Sequence, residues 1–419
     1  MGVGAIPRPS SFSRTSLNWW MQMSHIRSGK KHNSLHTRRF FGRFRRSTEA
    51  TATHGNLVKL FPNGGEFFSA LFSSLRSAKQ AISLEFYIIR DDPTGKELAS
   101  ILVDAVRRGV KVSVLYDYIG CFDTPASFFR NLQHAGVDCL PFNPPPFKRG
   151  LAWFDKRDHR KIAVIDGTRA FAGGLNVGSE YAGYGESRQR WRDVGISVSG
   201  AAAVELQRLF CETWQTEAGT AANSFCIAAK GGSAKKGDAT VHIVSGGPHH
   251  NRSHIHNAFR MAIGRARRCI TVANPYFIPG PRVIRSLLRA ARKGVRVRLI
   301  LPAVNDVPLV GLVSRSYYAS LLKGGIEVFE REGTVLHAKV MLIDSCWSII
   351  GSANMDHRSF HRNYEVNLIV DSCNFGTQVE DMLTRDLDLS RKILLDEHER
   401  RGWFVRLLER LFAPISWFL

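Results

Sequence analysis

The sequence carries one pattern of polar residues twice. The stretch HRKIAVIDG contains His159, Lys161 and Asp166. The stretch HAKVMLIDS, which begins 178 positions later (337 minus 159), repeats these residues as His337, Lys339 and Asp344. Two copies in register, each followed by further matching residues, are not explained by chance. The chain is therefore expected to bring the same chemistry to one place twice.

A glycine and an asparagine follow each copy at the same distance, Gly173 and Asn176 in the first and Gly351 and Asn354 in the second. Residues two apart lie on the same face of a strand, so the histidine and lysine of each copy should project together. The apolar run between lysine and aspartate predicts a buried strand that ends in a turn at the aspartate. The glycine would let a ligand approach closely.

The segments around the two copies also repeat. AVRRGVKVSVLYD matches AARKGVRVRLILP, and Gly109 and Gly294 take equivalent positions between a helix and a strand, where a helix end favours glycine. Helices that alternate with strands indicate an α/β protein. We expect two homologous α/β domains, with mostly parallel or mixed sheets flanked by helices, related by a pseudo-two-fold axis.

Composition shifts suggest the boundaries of these segments. Residues 1–50 hold ten Lys or Arg and one acid, which predicts a disordered basic arm, with a transit peptide as the alternative. Residues 228–239 are small, polar and glycine-rich, as in a linker. The expected division is arm 1–54, first domain 55–220, linker 221–240, second domain 241–398 and an amphipathic tail 399–419.

Charge and cysteine content limit the partners and the compartment. The net charge of +22 indicates anionic partners. The seven cysteines form no CxxC pair and are odd in number, which argues against a disulfide framework or zinc site and favours a reducing compartment. We expect no metal and no cofactor.

Two acids open apolar runs downstream of the repeated motifs. Asp193 lies in WRDVGISV and Glu365 in NYEVNLIV, each after the histidine of its own copy. A catalytic histidine usually needs a carboxylate that fixes its tautomer and stabilises the imidazolium. Asp193 and Glu365 are therefore candidates for supporting the two histidines, and the alternative is that they are exposed acids at strand ends.

The doubled pattern resembles the phospholipase D superfamily. The stretches GGLN (173–176), GSANMDHRSF (351–360), NPYFIPG (274–280) and NYEVN (363–367) are similar to those of bacterial cardiolipin synthases of the phospholipase D type. The likeness covers about residues 57–385. The two N-terminal membrane helices of many such synthases have no counterpart here, so the chain resembles a shorter subtype.

The motifs and the resemblance together imply a two-step displacement at phosphorus. His159 is the expected nucleophile and His337 the acid and base, and the pair should titrate near neutrality. Lys161, Lys339, Asn176 and Asn354 would hold the phosphate oxygens. Asp166 and Asp344 belong to the catalytic motif, but we expect them to organise it rather than to touch substrate.

The resemblance implies cardiolipin synthesis from phosphatidylglycerol, with transfer of a phosphatidyl group to a second phospholipid. The alternatives are a phospholipase D-type hydrolase, a phosphodiesterase on nucleic acid, which the apolar C-terminus disfavours, and a non-catalytic binding protein, which the intact motifs disfavour. The oligomeric state stays open. The expected location is peripheral, on the cytoplasmic face of the cell membrane.

Two segments are candidates for contact with an anionic membrane. The tail RGWFVRLLERLFAPISWFL combines aromatic and basic residues and suits a helix that lies in the interface, the alternative being a terminal helix packed on the domain. The segment 144–154, PPPFKRGLAWF, has no counterpart in the second copy and would form part of the lipid entrance. Its Phe147 and Trp153 are expected to support vesicle binding.

Overall fold

The computed structural model describes residues 34–145, 155–183, 190–219, 237–247 and 253–412. The chain divides into two compact units between Arg43 and Phe44. Only the beginning of one helix represents the first unit among the described residues. The architecture given below is therefore that of the second unit.

The described helices are α1 (Ser34–Thr48), α2 (Gly64–Arg76), α3 (Pro93–Arg107), α4 (Ala126–His134), α5 (Ser179–Ala182), α6 (Ala201–Ala218), α7 (His254–Arg265), α8 (Gly280–Arg292), α9 (Pro308–Arg315), α10 (Tyr318–Lys323), α11 (His357–His361), α12 (Cys373–Asp388), α13 (Leu395–Arg400) and α14 (Trp403–Phe412). The described strands are β1 (Thr51–Phe61), β2 (Ala81–Phe86), β3 (Lys111–Asp117), β4 (Asp138–Phe142), β5 (Lys161–Ile165), β6 (Arg169–Gly173), β7 (Gly195–Ser199), β8 (Ala239–Gly246), β9 (Cys269–Ala273), β10 (Arg296–Pro302), β11 (Glu327–Arg331), β12 (Val340–Ile343), β13 (Trp347–Gly351), β14 (Glu365–Asp371) and β15 (Ser390–Ile393).

All these strands form one sheet, in the order β15-β11-β10-β9-β12-β13-β14-β8-β1-β7-β6-β5-β2-β3-β4. The central pair is β8 and β1. Outward from it, the order β8, β14, β13, β12, β9, β10, β11 repeats the order β1, β7, β6, β5, β2, β3, β4. The palindrome confirms the duplication expected from the sequence, and β15 is an addition at one edge.

The sheet is mixed. Parallel pairing occurs in β2-β3-β4 and in β9-β10-β11, where helices such as α3 and α8 supply the crossover that a parallel pair needs. The strands nearer the centre pair antiparallel, because short turns join β5 to β6 and β12 to β13. The predicted α/β class is confirmed, with the parallel pairs confined to the outer parts of the sheet.

The two halves share one apolar core. Ile162 and Ile196 of the first half belong to the same buried cluster as Val340 and Leu368 of the second. A separate cluster around Leu71 lies under the helices of the first half. Most of the predicted linker 221–240 lies outside the described residues, and the division into domains 55–220 and 241–398 stays a prediction.

The prediction of a disordered arm over residues 1–54 is wrong for its last part. Residues 34–48 form α1, and β1 begins at Thr51. Phe44 is only 1% exposed and packs against the rings of His242 and Trp347. The basic composition of this segment did not indicate that an apolar residue within it is buried, and this burial stabilises the local structure. Residues 1–33 lie outside the described residues.

The number and spacing of the cysteines argued against a disulfide framework, but one described pair departs from that expectation. Cys346 and Cys373 are joined. Cys346 precedes β13 and Cys373 follows β14, and the facing residues Trp347 and Asp371 are antiparallel partners. This pairing places the start of β13 beside the end of β14 and so brings the two cysteines together. A count of cysteines does not reveal this proximity. Cys121, Cys139 and Cys269 are free thiols.

The predicted tail 399–419 is described as far as residue 412. Trp403, Phe404, Leu407 and Leu411 of α14 are exposed by half or more. Phe412 packs against a small buried cluster that includes Val310 of α9. The helix therefore docks through one side and leaves an apolar side uncovered. No helix among the described residues is long and apolar enough to cross a membrane.

Candidate active site

The two repeated histidines stand at the same edge of the sheet. His159 lies just before β5 and His337 just before β12, and both strands are buried throughout. Lys161 pairs with Phe86 at the carboxyl end of β2, and Val340 pairs with Ala273 at the carboxyl end of β9. The apolar residues of these strands lie in the core, and the polar residues lie at the N-terminal ends of the strands, as the sequence predicts.

Backbone hydrogen bonds join each histidine segment to the opposite half. The N–H of His159 donates to the carbonyl of Tyr364 over 2.9 Å, and the N–H of Tyr364 donates to Arg157 over 2.9 Å. The N–H of His337 donates to the carbonyl of Arg192 over 2.8 Å in the same manner. These contacts bring the two copies of the motif to one site.

The carboxylates predicted to support the histidines are exchanged between the halves. Nδ1 of His159 lies 3.1 Å from both oxygens of Glu365, which belongs to the second half. Nδ1 of His337 lies 2.6 Å from Oδ2 of Asp193, which belongs to the first half. With Nδ1–H bound to a carboxylate, Nε2 is left with the lone pair that chemistry at phosphorus requires.

Burial favours the neutral form of both imidazoles. Burial lowers the pKa of His159 to about 4 against the attraction of Glu365. Burial and the adjacent Lys339 lower the pKa of His337 despite Asp193. In the unliganded site the pKa of His159 therefore lies below the expected range near neutrality, and that of His337 is displaced in the same direction. A bound phosphate would add negative charge and raise both pKa values toward neutrality.

The two carboxylates stay ionised although they are buried. Burial alone would raise the pKa of Glu365, but His159, Lys161 and Ser352 outweigh it and bring this pKa below its usual value. For Asp193 the pKa-raising effect of burial is likewise overcome, chiefly by Lys339 and His337. Each histidine therefore faces a permanent negative charge, which stabilises an imidazolium or a phosphorylated ring.

The two motif lysines are buried and repel one another. Burial and the charge of Lys339, against the attraction of Glu365, lower the pKa of Lys161 to about 7. Burial lowers the pKa of Lys339 to about 8. Nζ of Lys339 lies 2.8 Å from Nδ1 of His337, and Nζ of Lys161 donates to the carbonyl of His159 over 2.6 Å. A bound anion would favour the charged ammonium form of both lysines.

The structure gives the two motif asparagines unequal surroundings. Oδ1 of Asn176 accepts from the N–H of Ile88 over 3.2 Å, and its Nδ2 donates to Tyr181 over 3.0 Å. Oδ1 of Asn354 is buried and has no hydrogen-bond partner in the described part of the chain. Both polar atoms of the Asn176 amide are already engaged within the protein, whereas Oδ1 of Asn354 is not. Because a phosphate oxygen needs the Nδ2 donor of an amide, matched roles of the two asparagines on phosphate stay a prediction.

Asp166 and Asp344 lie away from the histidines, at the far ends of β5 and β12, and seven extended residues span about 23 Å. The Asp166 carboxylate accepts from the backbone N–H groups of Lys79, Gln80 and Ala81, and that of Asp344 accepts from residues 267–269. Both have positive φ, 50° and 51°. Their grouping with the catalytic residues is corrected: they fasten the turns that precede β2 and β9.

Sequence reasoning missed two serines that hold Glu365. Ser352 and Ser359 each donate a hydroxyl to its carboxylate, over 2.5 and 2.8 Å. Gly174 takes the place of Ser352 in the first copy, and a Cβ there would lie 2.2 Å from Oδ1 of Asp193. Comparison of the copies position by position would have exposed this difference.

Aromatic rings surround the histidines, another feature that the motif did not predict. The ring of Tyr87 lies 5.0 Å from that of His159, and the rings of Tyr181 and Trp191 each lie 5.4 Å from that of His337. They exclude water from the imidazoles. No group of three or more His, Cys, Asp or Glu side chains is placed to hold a metal ion within the described ranges.

The sequence matches a family model described as "Cardiolipin synthase, PLD-like domain" over residues 71–214 and 259–387. The chain is 38% identical over 365 residues to cardiolipin synthase 2 of Bacillus cereus, covering 85% of this chain and 70% of the relative. It is 36% identical over 372 residues to cardiolipin synthase A of Pseudomonas syringae pv. syringae, covering 87% and 76%.

A solved structure has the same fold at low sequence identity. Phosphatidylserine synthase from Haemophilus influenzae superposes with a TM-score of 0.68 at 15% identity, covering 90% of this chain and 98% of that one. The likeness extends through both halves of the sheet.

Proposed function

The chain belongs to the cardiolipin synthase family with phospholipase D-like domains, and from this premise we propose that it moves a phosphatidyl group from one phosphatidylglycerol to a second phospholipid. One observation carries the proposal: two buried imidazole–carboxylate pairs, each built from both halves, meet beside two buried lysines. This arrangement suits displacement at a phosphodiester in two steps.

In the first step, Nε2 of His159 attacks phosphorus and a phosphorus–nitrogen bond forms. The bond from phosphorus to the glycerol headgroup breaks, and protonated His337 gives its proton to the departing oxygen. Lys161 and Lys339 neutralise the charge that develops on the phosphate oxygens. The charge of Glu365 stabilises the phosphorylated ring of His159.

In the second step, His337 is neutral and takes the proton from a hydroxyl of the second phosphatidylglycerol. The hydroxyl oxygen attacks phosphorus, the phosphorus–nitrogen bond breaks and cardiolipin is released. Water in place of the lipid hydroxyl would give phosphatidic acid. The choice of acceptor therefore separates the synthase from the alternative, a phospholipase D-type hydrolase.

The assignment of His159 as nucleophile is supported by the unequal carboxylates. Glu365 shares its charge among His159, Ser352 and Ser359, which weakens its hold on any one proton. Asp193 receives the backbone N–H of Val194 and holds His337 at 2.6 Å. The more strongly held imidazole is better suited to carry the proton for the leaving group.

Access to lipid is supported by helix α14. Trp403 and Leu411 on its uncovered side are 71% and 66% exposed, and Arg406 is exposed as well. An apolar side with neighbouring basic residues suits attachment to an anionic membrane surface. Trp417 and Phe418 lie outside the described residues, as do residues 146–154 of the second predicted contact, 144–154.

We propose that the protein attaches peripherally to the cell membrane. The predicted cytoplasmic face relied partly on unpaired cysteines, and the Cys346–Cys373 disulfide removes that support because disulfides persist mainly in oxidising compartments. Thiol labelling of intact cells tests on which face of the membrane the protein lies.

The test uses the full chain and vesicles of phosphatidylglycerol with labelled acyl chains. Cardiolipin and free glycerol in equal amounts are expected. Phosphatidic acid as the main product would favour the hydrolase, and the absence of lipid turnover would contradict both. His159→Ala should abolish turnover, and circular dichroism should show that the variant stays folded.

A further inference from the structure

Six basic or imidazole side chains gather at one side of the histidine site, on three helices of the second half. This cationic cluster consists of His256, Arg282, His357, Arg358, His361 and Arg362. The ring of His361 lies 4.7 Å from that of His357 and 6.0 Å from that of His256. Helix α7 packs against α8 and α11. The cluster is therefore a continuous patch.

The positive charge of the cluster is poorly neutralised. Arg362 donates to Asp155 over 2.8 Å. Neither Arg282 nor Arg358 makes an ion pair with a carboxylate among the described residues. Burial and then the charges of Arg282 and Arg362 lower the pKa of His361. Arg282 and Arg362 thus disfavour a charge on His361, and an anion bound among these groups would relieve that repulsion.

The equivalent part of the first half has the opposite character. Glu180 takes the position of Arg358, and Gly183 takes the position of His361, 178 residues earlier (358 minus 180, 361 minus 183). Arg90, the neighbouring cation, is neutralised by Glu180 at 3.3 Å and by Asp123 at 3.2 Å. The duplicated site therefore has one cationic side and one side whose charges are balanced.

The cluster lies next to the reacting groups. Helix α11 begins three residues after Asn354, and Arg282 is in the first turn of α8, which follows the carboxyl end of β9. The charge of Arg358 also reaches Tyr87, whose ring contacts that of His159. A second phosphate held here would lie beside the phosphorus under attack.

We propose that the cationic cluster binds the phosphate of the acceptor phospholipid, an inference that rests on the proposed function. In phosphatidylglycerol, a three-carbon glycerol separates the attacking hydroxyl from that lipid's own phosphate. A site for this phosphate beside the histidines orients the hydroxyl toward the phosphorylated His159. One guanidinium group can donate two parallel hydrogen bonds to two oxygens of a phosphate, and Arg282 and Arg358 each offer such a group. Inorganic phosphate offers the same chemistry.

The partition of the phosphohistidine between two acceptors tests the proposal. The full chain is incubated with phosphatidylglycerol vesicles in the presence of ethanol, which carries no phosphate, and cardiolipin and phosphatidylethanol are measured together. Their ratio does not depend on how much enzyme is folded or on how fast the intermediate forms. Arg282→Gln and His361→Asn change exposed residues. Arg289→Gln removes the same charge from the opposite end of α8 and is the matched control.

We expect the ratio of cardiolipin to phosphatidylethanol to fall about tenfold in Arg282→Gln and His361→Asn, the loss typical of one charged hydrogen bond, and to stay at the wild-type value in Arg289→Gln. Millimolar inorganic phosphate should lower the wild-type ratio and leave that of Arg282→Gln unchanged. Equal ratios in all proteins in phosphate-free buffer would overturn the proposal. This holds even if the cluster binds inorganic phosphate, because the acceptor lipid would then not use it. Absence of both products in wild type would contradict the proposed function instead.

Discussion

His159 of the first half hydrogen-bonds Glu365 of the second half, with both carboxylate oxygens 3.1 Å from Nδ1. The reciprocal pair, His337 with Asp193 at 2.6 Å, makes the exchange mutual. Neither half holds a complete imidazole–carboxylate pair from its own residues. Duplication has thus produced one site rather than two, and loss of either half should abolish both pairs.

Glu365→Gln and Asp193→Asn should each lower kcat by two to four orders of magnitude, as loss of the carboxylate beside a catalytic histidine does in general. The amide keeps the shape of the carboxylate side chain but loses its negative charge. That charge fixes the tautomer of the neighbouring histidine and stabilises its imidazole when it is positively charged. The measurement is steady-state turnover of phosphatidylglycerol, with circular dichroism to confirm the fold.

The control for this pair is Glu327→Gln, which removes a carboxylate that binds Arg296 and Lys392 on an outer strand. Its kcat should equal that of wild type. Wild-type kcat in Glu365→Gln would contradict the assigned role of the exchanged carboxylate.

The pH dependence of stability should report the buried Lys161. Its pKa is about 7 in the folded protein, below the usual value of 10.5. Between these values the unfolded chain binds the extra proton, so the free energy of unfolding rises with pH across this window. The cost of burying the ammonium is present in full below pH 7, and above pH 10.5 it is absent.

Lys161→Met should therefore raise the free energy of unfolding of the unliganded protein at pH 7, with a gain that shrinks as the pH approaches 10.5. Urea unfolding at pH 7 and pH 10 measures this difference. Lys96→Met, at an exposed position, is the control and should show no such trend. A gain that grows between pH 7 and pH 10 would contradict the lowered pKa.

The Cys346–Cys373 disulfide should stabilise the protein by about 2–4 kcal/mol, because it reduces the conformational entropy of the unfolded chain. Cys346→Ser should lower the urea midpoint below that of the wild type when both are unfolded without reductant. Cys269→Ser, which removes a free thiol, should leave the effect of reduction intact.

Thiol labelling of intact cells followed by peptide mapping then decides the membrane face. A protected Cys346–Cys373 pair indicates an oxidising compartment, and two labelled thiols indicate a reducing one. Labelling of both residues in the purified, air-oxidised protein would show that the disulfide does not form.

Trp403→Ser combined with Leu407→Ser should reduce binding to vesicles rich in phosphatidylglycerol by about tenfold or more, since two large apolar side chains no longer enter the bilayer. Vesicle sedimentation measures this change. Leu389→Ser, equally exposed but away from α14, is the matched control. Equal losses in both proteins, or none in either, would contradict the membrane role of α14.

The local features of the site could be predicted from the sequence because they depend on short-range patterns. Strand periodicity places His159 beside Lys161, and the exact displacement of 178 residues identifies the second copy. The family resemblance then supplies the expected order of the chemical steps. The duplicated sheet follows from the repeated alternation of helix and strand.

The contacts that could not be predicted join residues far apart in the chain. The exchange of Glu365 and Asp193 between the halves depends on how the central strands β1 and β8 pair. The Cys346–Cys373 bond depends on the register of β13 and β14. The burial of Phe44 depends on ring contacts with His242 and Trp347, which come much later in the chain. Local composition carries none of this information.

The most direct test of the account is to trap the phosphorylated intermediate and to locate it. The full chain is mixed briefly with phosphatidylglycerol labelled at phosphorus, quenched in alkali, which preserves phosphohistidine, and mapped by peptide sequencing. The account predicts label on His159 and none in His159→Ala. Label on His337 with His159 unmodified would contradict the assigned order of the two histidines, and turnover without any labelled histidine would contradict the two-step mechanism itself.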